Sequence, residues 1–541
     1  MAPPMTRART YPGVGTAERH GAPPPERPAV GHGTRGVARG GVAGIIGSAI
    51  AGGTGVGVTW IVARTLGAEQ AGAFFAATAA FVLAGGLAKL GTQTGLVYWP
   101  ARLRAGGRAH LLGTCLRTGL VPVAVLSAAM AVGMWLAAPA IARATASDTP
   151  QVLAQHTTGL RVLAVFLPLQ ALTDALLTAT RGYRAMRPTV LLDRVLRSGL
   201  QLVLVGAAGV AALWTATALP VFAAAWAAPY LPVVVLAGLG LRRIYRAGRP
   251  ADAAPVPRTE RRALRRDFWV FTGPRALASV AQLALQRVDV LLVAALGGLA
   301  AAAVYAVAGR FVVLIQFANQ GISQSVQPRL AEALATGDTG TANHLYRTAT
   351  GWLVLITWPI SLLVILFAPV YLALFGDGYR SGAPVVVVLA CATLVATGCG
   401  MVDMVLAMAG RTSWNLVNVL IALGVTIGLD VLLIPRYGAL GAAVGLGCAI
   451  LANNLLPLIQ VSRVARLHPF GAGTCIAAAL SVACFGVLPR LVTAMTGTGP
   501  AGLLLALGLA VPAFAAGAWL LRRRLALDAF TRGKPILKED S

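Results

Sequence analysis

The sequence predicts an all-α polytopic membrane protein of about 14 transmembrane helices: two pseudo-symmetric six-helix lobes around a central cavity, then two more helices. Three observations predict this. Of the 541 residues 57% are hydrophobic and only 12% charged, far from the soluble average. Apolar runs of about 20 residues recur from residue 40 to 521. The connections between them alternate between Arg-rich and Arg-poor.

Residues 1–38 are rich in Pro, Gly and Arg and have no apolar core segment, so they read as a disordered basic cytoplasmic tail and not a signal peptide. The N-lobe, 39–241, holds six spans centred on 42–62, 73–98, 120–142, 153–180, 190–213 and 219–241. A basic cytoplasmic linker, 242–266, contains Pro250, Pro255 and Pro257. The C-lobe, 267–465, repeats six spans at 269–295, 300–325, 352–375, 385–409, 416–434 and 441–461. Two more spans, 472–488 and 503–521, lie within 466–521, and 522–541 form a basic cytoplasmic tail. With the N-terminus inside, inner connections hold Arg102, Arg104, Arg108, Arg181, Arg184, Arg187, the run 242–266, Arg329, Arg347, Arg411, Arg463 and Arg466. The outer ones hold few, among them Arg143, Arg380, Arg436 and Arg490. One missed or invented helix would scramble that alternation. It also accounts for the net charge of +27 without nucleic acid.

The six cysteines have no metal-type spacing and read as small buried hydrophobes. No metal or cofactor is expected. No nucleophile and base pair, phosphate-cradling loop or nucleotide motif is visible, so the chain does not read as an enzyme, and ATP is not its direct energy source.

The seventh and eighth spans are polar on one side. Arg275, Ser279, Gln282, Gln286 and Asp289 fall within an arc of roughly 80°, and Tyr305, Gln316, Asn319, Gln320 and Ser323 share a side of the next helix. Polar groups at bilayer depth face a bundle interior or a water-filled cavity. A wet chamber, and hence a transporter, is implied.

The two halves also match at an offset of about 230 residues: Leu66-Gly67 with Leu296-Gly297, Phe75 with Tyr305, Phe81 with Phe311, Gly91 with Gly321, and Asp174 with Asp403 within one residue. Equivalent positions are six helices apart, an even number. Both lobes therefore enter the membrane in the same sense, about an axis along its normal.

With six plus six helices and two appended, the stretch from Val288 through Gly297 and Tyr305 to Pro328-Arg329-Leu330, and Gly438-Ala439-Leu440-Gly441-Ala442-Ala443 after Ile434-Pro435, the chain resembles the polysaccharide flippases of the multidrug/oligosaccharidyl-lipid/polysaccharide superfamily. The resemblance covers about residues 40 to 465. It implies a bacterial inner-membrane protein that turns a polyprenyl-pyrophosphate-linked oligosaccharide across the bilayer by alternating access. The implied partners are that lipid-linked glycan, membrane lipids, and glycan polymerases or glycosyltransferases.

An anionic pyrophosphate calls for cations in the chamber. The candidates for substrate binding are Lys89, Arg161, Arg275, Arg287 and Arg310, with Gln282, Gln286 and Asn319 as polar lining. Arg287 and Arg310 lie off the polar arcs, and either bind substrate or pair with carboxylates between helices. Asp289 is a candidate for carrying a proton or cation, or else a structural partner for Arg161, Arg287 or Arg310. Asp174 and Asp403 are candidates for a shared gate or helix cap.

Two rivals share the architecture. Multidrug efflux antiporters often carry an acidic residue in the first helix, and residues 42–62 have none. Lipid II flippases usually carry charged groups there, also missing here. A membrane glycosyltransferase or polymerase would need a substantial outer catalytic loop.

Overall fold

The computed structural model describes residues 31–145, 149–183, 185–215, 218–247 and 256–527. Residues 1–30 of the expected tail, most of the central linker (248–255, with Pro250 and Pro255), Arg184 and residues 528–541 lie outside these. The regular structure of the described residues is all helix, and among them twelve helices are long and apolar enough to span a membrane. The chain is a multi-pass membrane protein.

The twelve become fourteen segments for two physical reasons. The helix Gly31–Ala88 is broken at Gly67, where φ 75° and ψ 172° leave the helical region for one glycine adopts readily, which gives α1 (31–66) and the start of α2 (68–105, with Thr92–Ala105 as its end). A second segment, α5, is a π-helix, Thr189–Arg197, continued by Ser198–Ala211. The others are α3 Leu112–Arg143, α4 Pro150–Gly182, α6 Leu219–Ala247, α7 Arg258–Leu296, α8 299–335, α9 Thr339–Leu366, α10 Asp377–Met408, α11 Thr412–Tyr437, α12 Ala439–Val464, α13 Ala472–Thr496 and α14 Pro500–Leu520. The first helix starts at Gly31, within the expected tail. The flanks of the linker, 242–247 and 258–266, extend α6 and α7. Amphipathic basic ends of this kind gain helical hydrogen bonds where the lipid headgroups begin.

The contacts fix directions. Gly47 meets Val190, Gly57 meets Leu202 and Gly209 meets Ile61, so α1 and α5 run parallel. In the second lobe Leu285 clusters with Ala422, and Gly297 meets Ile434, so α7 and α11 run parallel in the same way. The α7–α8 hairpin turns at Gly298, with φ 90° and ψ 163°, close to the values at Gly67. Across this hairpin Tyr305 pairs with Asp289. Ser48 meets Gln320 and Gly52 meets Phe317, which makes α1 antiparallel to α8. Gly95 meets Phe268, Gly91 meets Ala276 and Gly86 meets Leu283, which makes α2 antiparallel to α7. Gly67 is thus a hairpin turn, and the lobes are repeats with equivalent turns.

The largest apolar core joins both lobes, with Phe74, Phe75, Leu299, Tyr305 and Phe311 all buried. The last two helices dock on α9, where Trp352 donates its indole N–H to the Leu525 carbonyl at 3.0 Å, and α14 leaves Leu504 and Leu520 open to lipid. At the entry to α9 the Asp338 carboxylate caps the helix by accepting the Thr341 N–H at 2.9 Å. The hydrogen bonds from Thr341 hold that carboxyl below the usual range.

Candidate functional site: an interlobe chamber

Helix α7 has two exposed faces. Val270 and Leu277 are 69% and 55% exposed, an apolar surface suited to lipid. On roughly the opposite side of the helix Arg275, Ser279, Gln282 and Gln286 are exposed too. Between these faces one flank packs on α2 through Leu283 and Gly86, and the other on α11 through Leu285 and Ala422. The polar face therefore looks into the molecule. In α8 the helix breaks at Gly309, between Leu299–Ala308 and Arg310–Ala335. Its first arm packs on α7, whereas the second is held by α1, α9 and α10. The two helices meet at Asp289 and Tyr305 and diverge toward the Arg-rich end. Their polar stripes continue toward that end, where on α8 Gln320 meets Ser48 of α1 and Ser323 donates to the Met401 sulfur at 2.8 Å, while Gln316 is exposed. Asn319 accepts from Ser323 at 3.3 Å.

At mid-membrane two partly buried cations stand between the lobes. By the 1.5 Å rise per residue, Arg287 and Arg310 lie roughly 16–18 Å from the turn at Gly298. Arg287 is within electrostatic reach of Asp289 and of Tyr230 in the N-lobe, and Arg310 is within reach of Arg287. The Arg310 guanidinium lies over the Phe75 ring of α2, 5.7 Å from its centroid. Neither Arg287 Nε nor Arg310 Nε has an acceptor among the described residues. Arg197, ion-paired to Asp193 at 2.6 Å, lies over the Tyr230 ring, 5.3 Å from its centroid.

A carboxylate site adjoins them in the C-lobe. Asp289 accepts the Tyr305 hydroxyl at 2.5 Å and the Val290 N–H at 2.8 Å. Asp430 of α11, fully buried, interacts electrostatically with Asp289, and neither of its oxygens has a partner among the described residues. Room for it is made by Gly445, where a Cβ would lie 2.2 Å from Asp430 Oδ1. The sequence reading passed over Asp430, although a lone carboxylate in an otherwise apolar span is the signal that singles out such a residue.

The remaining sequence candidates divide. Lys89 does not stand free: its ammonium meets Asp174 at 2.7 Å, joining α2 to α4. Lys89→Met is expected to destabilise the protein by about 1–3 kcal/mol by leaving a half-buried carboxylate unpaired, and adding Asp174→Asn should recover most of this. Thermal unfolding in one detergent checks both. Arg275 donates to the Phe271 carbonyl at 2.7 Å and lies over that ring, itself stacked on Tyr98 at 4.2 Å between centroids. Arg161 is outside the chamber, over Trp135 at 4.6 Å. Asp403 is exposed, and its carbonyl accepts from the Asn415 amide at 3.0 Å. The in-register pair Asp174 and Asp403 thus makes unlike contacts.

Helix α1 ties the lobes at both ends. Toward the Arg-rich end Arg194 donates to Ser48, which reaches Gln320 at 3.4 Å. At the far end Trp60 and Arg64 both donate to the Leu374 carbonyl, at 2.8 and 2.9 Å. In the glycine-rich part of α1, Gly52 and Gly57 admit Phe317 and Leu202, while a Cβ at Gly53 or Gly55 would meet nothing within 4 Å.

This is the fold of the MOP-superfamily transporters. The MatE family model matches residues 274–432. A lipid II flippase, MurJ, in an inward closed conformation is similar with a TM-score of 0.68 at 11% identity, over 90% of this chain and 100% of that one. An inward-facing multidrug resistance MATE transporter gives 0.60 at 16%, over 76% and 95%. A MOP-superfamily transporter from Pyrococcus furiosus gives 0.51 at 18%, over 79% and 96%. No curated protein matches the sequence.

Proposed function

We propose that this chain is an alternating-access flippase that carries a polyprenyl-pyrophosphate-linked oligosaccharide across a bacterial inner membrane, with its Arg-rich face and both termini cytoplasmic. The observation that carries the reading is the pair Arg287 and Arg310: two neighbouring, partly buried cations, the buried Nε of each without an acceptor among the described residues. A buried charge is costly unless paired, and an anionic headgroup supplies the missing acceptors. Guanidinium forks meet phosphate oxygens bidentately. The glycan would lie along Gln282, Gln286, Asn319 and Arg275 while the polyprenyl tail stays in lipid. An inside-negative potential favours outward movement of a doubly charged headgroup by about 2.3 kcal/mol per charge per 100 mV.

A second reading, a lipid II flippase, is favoured by the extent of the likeness to MurJ, which covers 90% of the chain where the MATE structures match 76–81%. Multidrug efflux ranks below both, because its cationic cargo would meet Arg287 and Arg310. Proteoliposomes test all three. Movement of a fluorescent lipid-linked oligosaccharide to the opposite leaflet is expected, movement of lipid II alone selects the second reading, and movement of a cationic dye without either overturns both.

In this reading Asp289 and Asp430 take up a proton or monovalent cation that resets the carrier. Asp430→Asn is expected to slow flipping about tenfold under an imposed cation gradient and to leave the rate without a gradient within twofold. An equal gradient response in wild type and variant would remove the coupling role.

A further inference from the structure

Away from the mid-membrane arginines, the Arg-rich end of the N-lobe holds a cavity of about 120 Å³ lined by Gln93, Asp174, Leu177, Arg181, Thr189 and Asp193. Its walls are the ends of α2, α4 and α5. We propose that it is a second anion site, which takes a phosphoryl group at the mouth of the chamber before that group reaches Arg287 and Arg310. For its physiological occupant the proposal rests on the flippase reading.

Charge gives the sign. Both carboxylates of the wall are already neutralised, Asp174 by Lys89 at 2.7 Å and Asp193 by Arg197 at 2.6 Å. Arg181 has no carboxylate within ion-pair distance among the described residues. It gives one N–H to the Thr178 hydroxyl at 2.8 Å, and its buried Nε has no acceptor. The Thr189 hydroxyl, also buried, has no partner among the described residues. An excess guanidinium and an idle hydroxyl on one small cavity suit an oxyanion, since a phosphoryl oxygen accepts from both. A cation would meet two carboxylates that are already engaged.

Backbone geometry supplies the second line. Residues Thr189–Arg197 form a π-helix, a rare conformation that recurs at functional sites. With more than four residues per turn it places Thr189 and Asp193 nearly in line toward the cavity. Leu191 and Val195, 59% and 36% exposed, then fall on the lipid side. The cavity thus has apolar surface for an acyl or prenyl chain one helix diameter away, which suits the phosphate of a lipid headgroup. Free phosphate shares the chemistry.

The test uses the full chain in nanodiscs, titrated with inorganic pyrophosphate and followed by thermal shift and calorimetry. Retention of phosphatidylglycerol and of polyprenyl phosphate is scored in parallel by native mass spectrometry. Arg181→Gln and the near-isosteric Thr189→Val are each expected to weaken pyrophosphate binding, lipid-phosphate retention or both at least tenfold, with Arg181→Lys intermediate. Loss of lipid retention alone assigns the site to a headgroup, and loss of pyrophosphate binding alone to a soluble phosphate. Unchanged binding of both ligands in folded Arg181→Gln and Thr189→Val overturns the proposal. The flippase reading is judged separately, by whether the wild-type chain moves lipid-linked sugar at all.

Discussion

Vesicles carrying Arg310→Gln are expected to flip lipid-linked oligosaccharide about a hundredfold more slowly than wild type, with the protein still folded. The size follows from the site. Removing one partner from a buried charge pair costs about 2–5 kcal/mol, and 1.36 kcal/mol is a factor of ten in rate. Glutamine keeps a donor but is shorter and gives up the charge. Without substrate the same change relieves an expense, because Arg310 stands beside Arg287 and has no carboxylate in ion-pair distance among the described residues. The unloaded variant should therefore melt at the same temperature as wild type or above it. Slower flipping together with equal or greater stability is the signature of a binding residue; slower flipping with a lower melting temperature would mark a structural one. Arg161→Gln is the control: that guanidinium lies over Trp135, outside the chamber, and flipping should stay within about threefold.

The helices were legible because lipid leaves one solution for each backbone: a run of about 20 apolar residues must close its own hydrogen bonds. The repeat was legible to within one residue at its turns: the offset pairs Gly67 with Gly297, whereas the backbone angles of Gly67 recur at Gly298. The polar stripe of α7 could be read from periodicity alone, since a helix with a fixed axis points every seventh residue the same way. Partners could not. Lys89 and Arg275 shared the stripes' logic, yet one meets Asp174 and the other its own Phe271, choices made by helices 85 residues apart in the first case and by one turn of backbone in the second. Arg287 and Arg310 had looked misplaced because they sit off the polar arcs; a wheel shows one helix at a time, and these two face a second lobe. The cavity at Arg181 and Thr189 was hidden for another reason, since a π-helix shifts the register that an α-helical wheel assumes.

Where the lobes press together, glycine decides whether the fold forms. Gly72→Val is expected to abolish recovery of monodisperse protein, and Gly72→Ala to cost about 3 kcal/mol, at the upper end for an overpacked site. A Cβ at position 72 would lie 1.7 Å from the Leu299 carbonyl oxygen and 2.5 Å from its carbon. These are backbone atoms at the start of α8, so relief requires moving one helix off another. Gly86 faces the same partner hairpin, but there the obstacle is the end of the Leu283 side chain, at 1.8 Å, which can rotate away; Gly86→Ala should cost about 1–2 kcal/mol. At Gly53 a Cβ meets nothing within 4 Å, and Gly53→Ala should be neutral or stabilise by up to about 1 kcal/mol through helix propensity. Size-exclusion profiles and thermal unfolding of the three alanine variants measure this order. If Gly72→Ala were as stable as Gly53→Ala, α2 and α8 would not be in backbone contact, and the lobes would need another pivot. If the order holds, the two hairpins are joined at one end of the bundle by a contact that tolerates no added carbon, while α7 and the second arm of α8 diverge at the other; rocking about that contact would change the cleft between them with little strain where the helices touch.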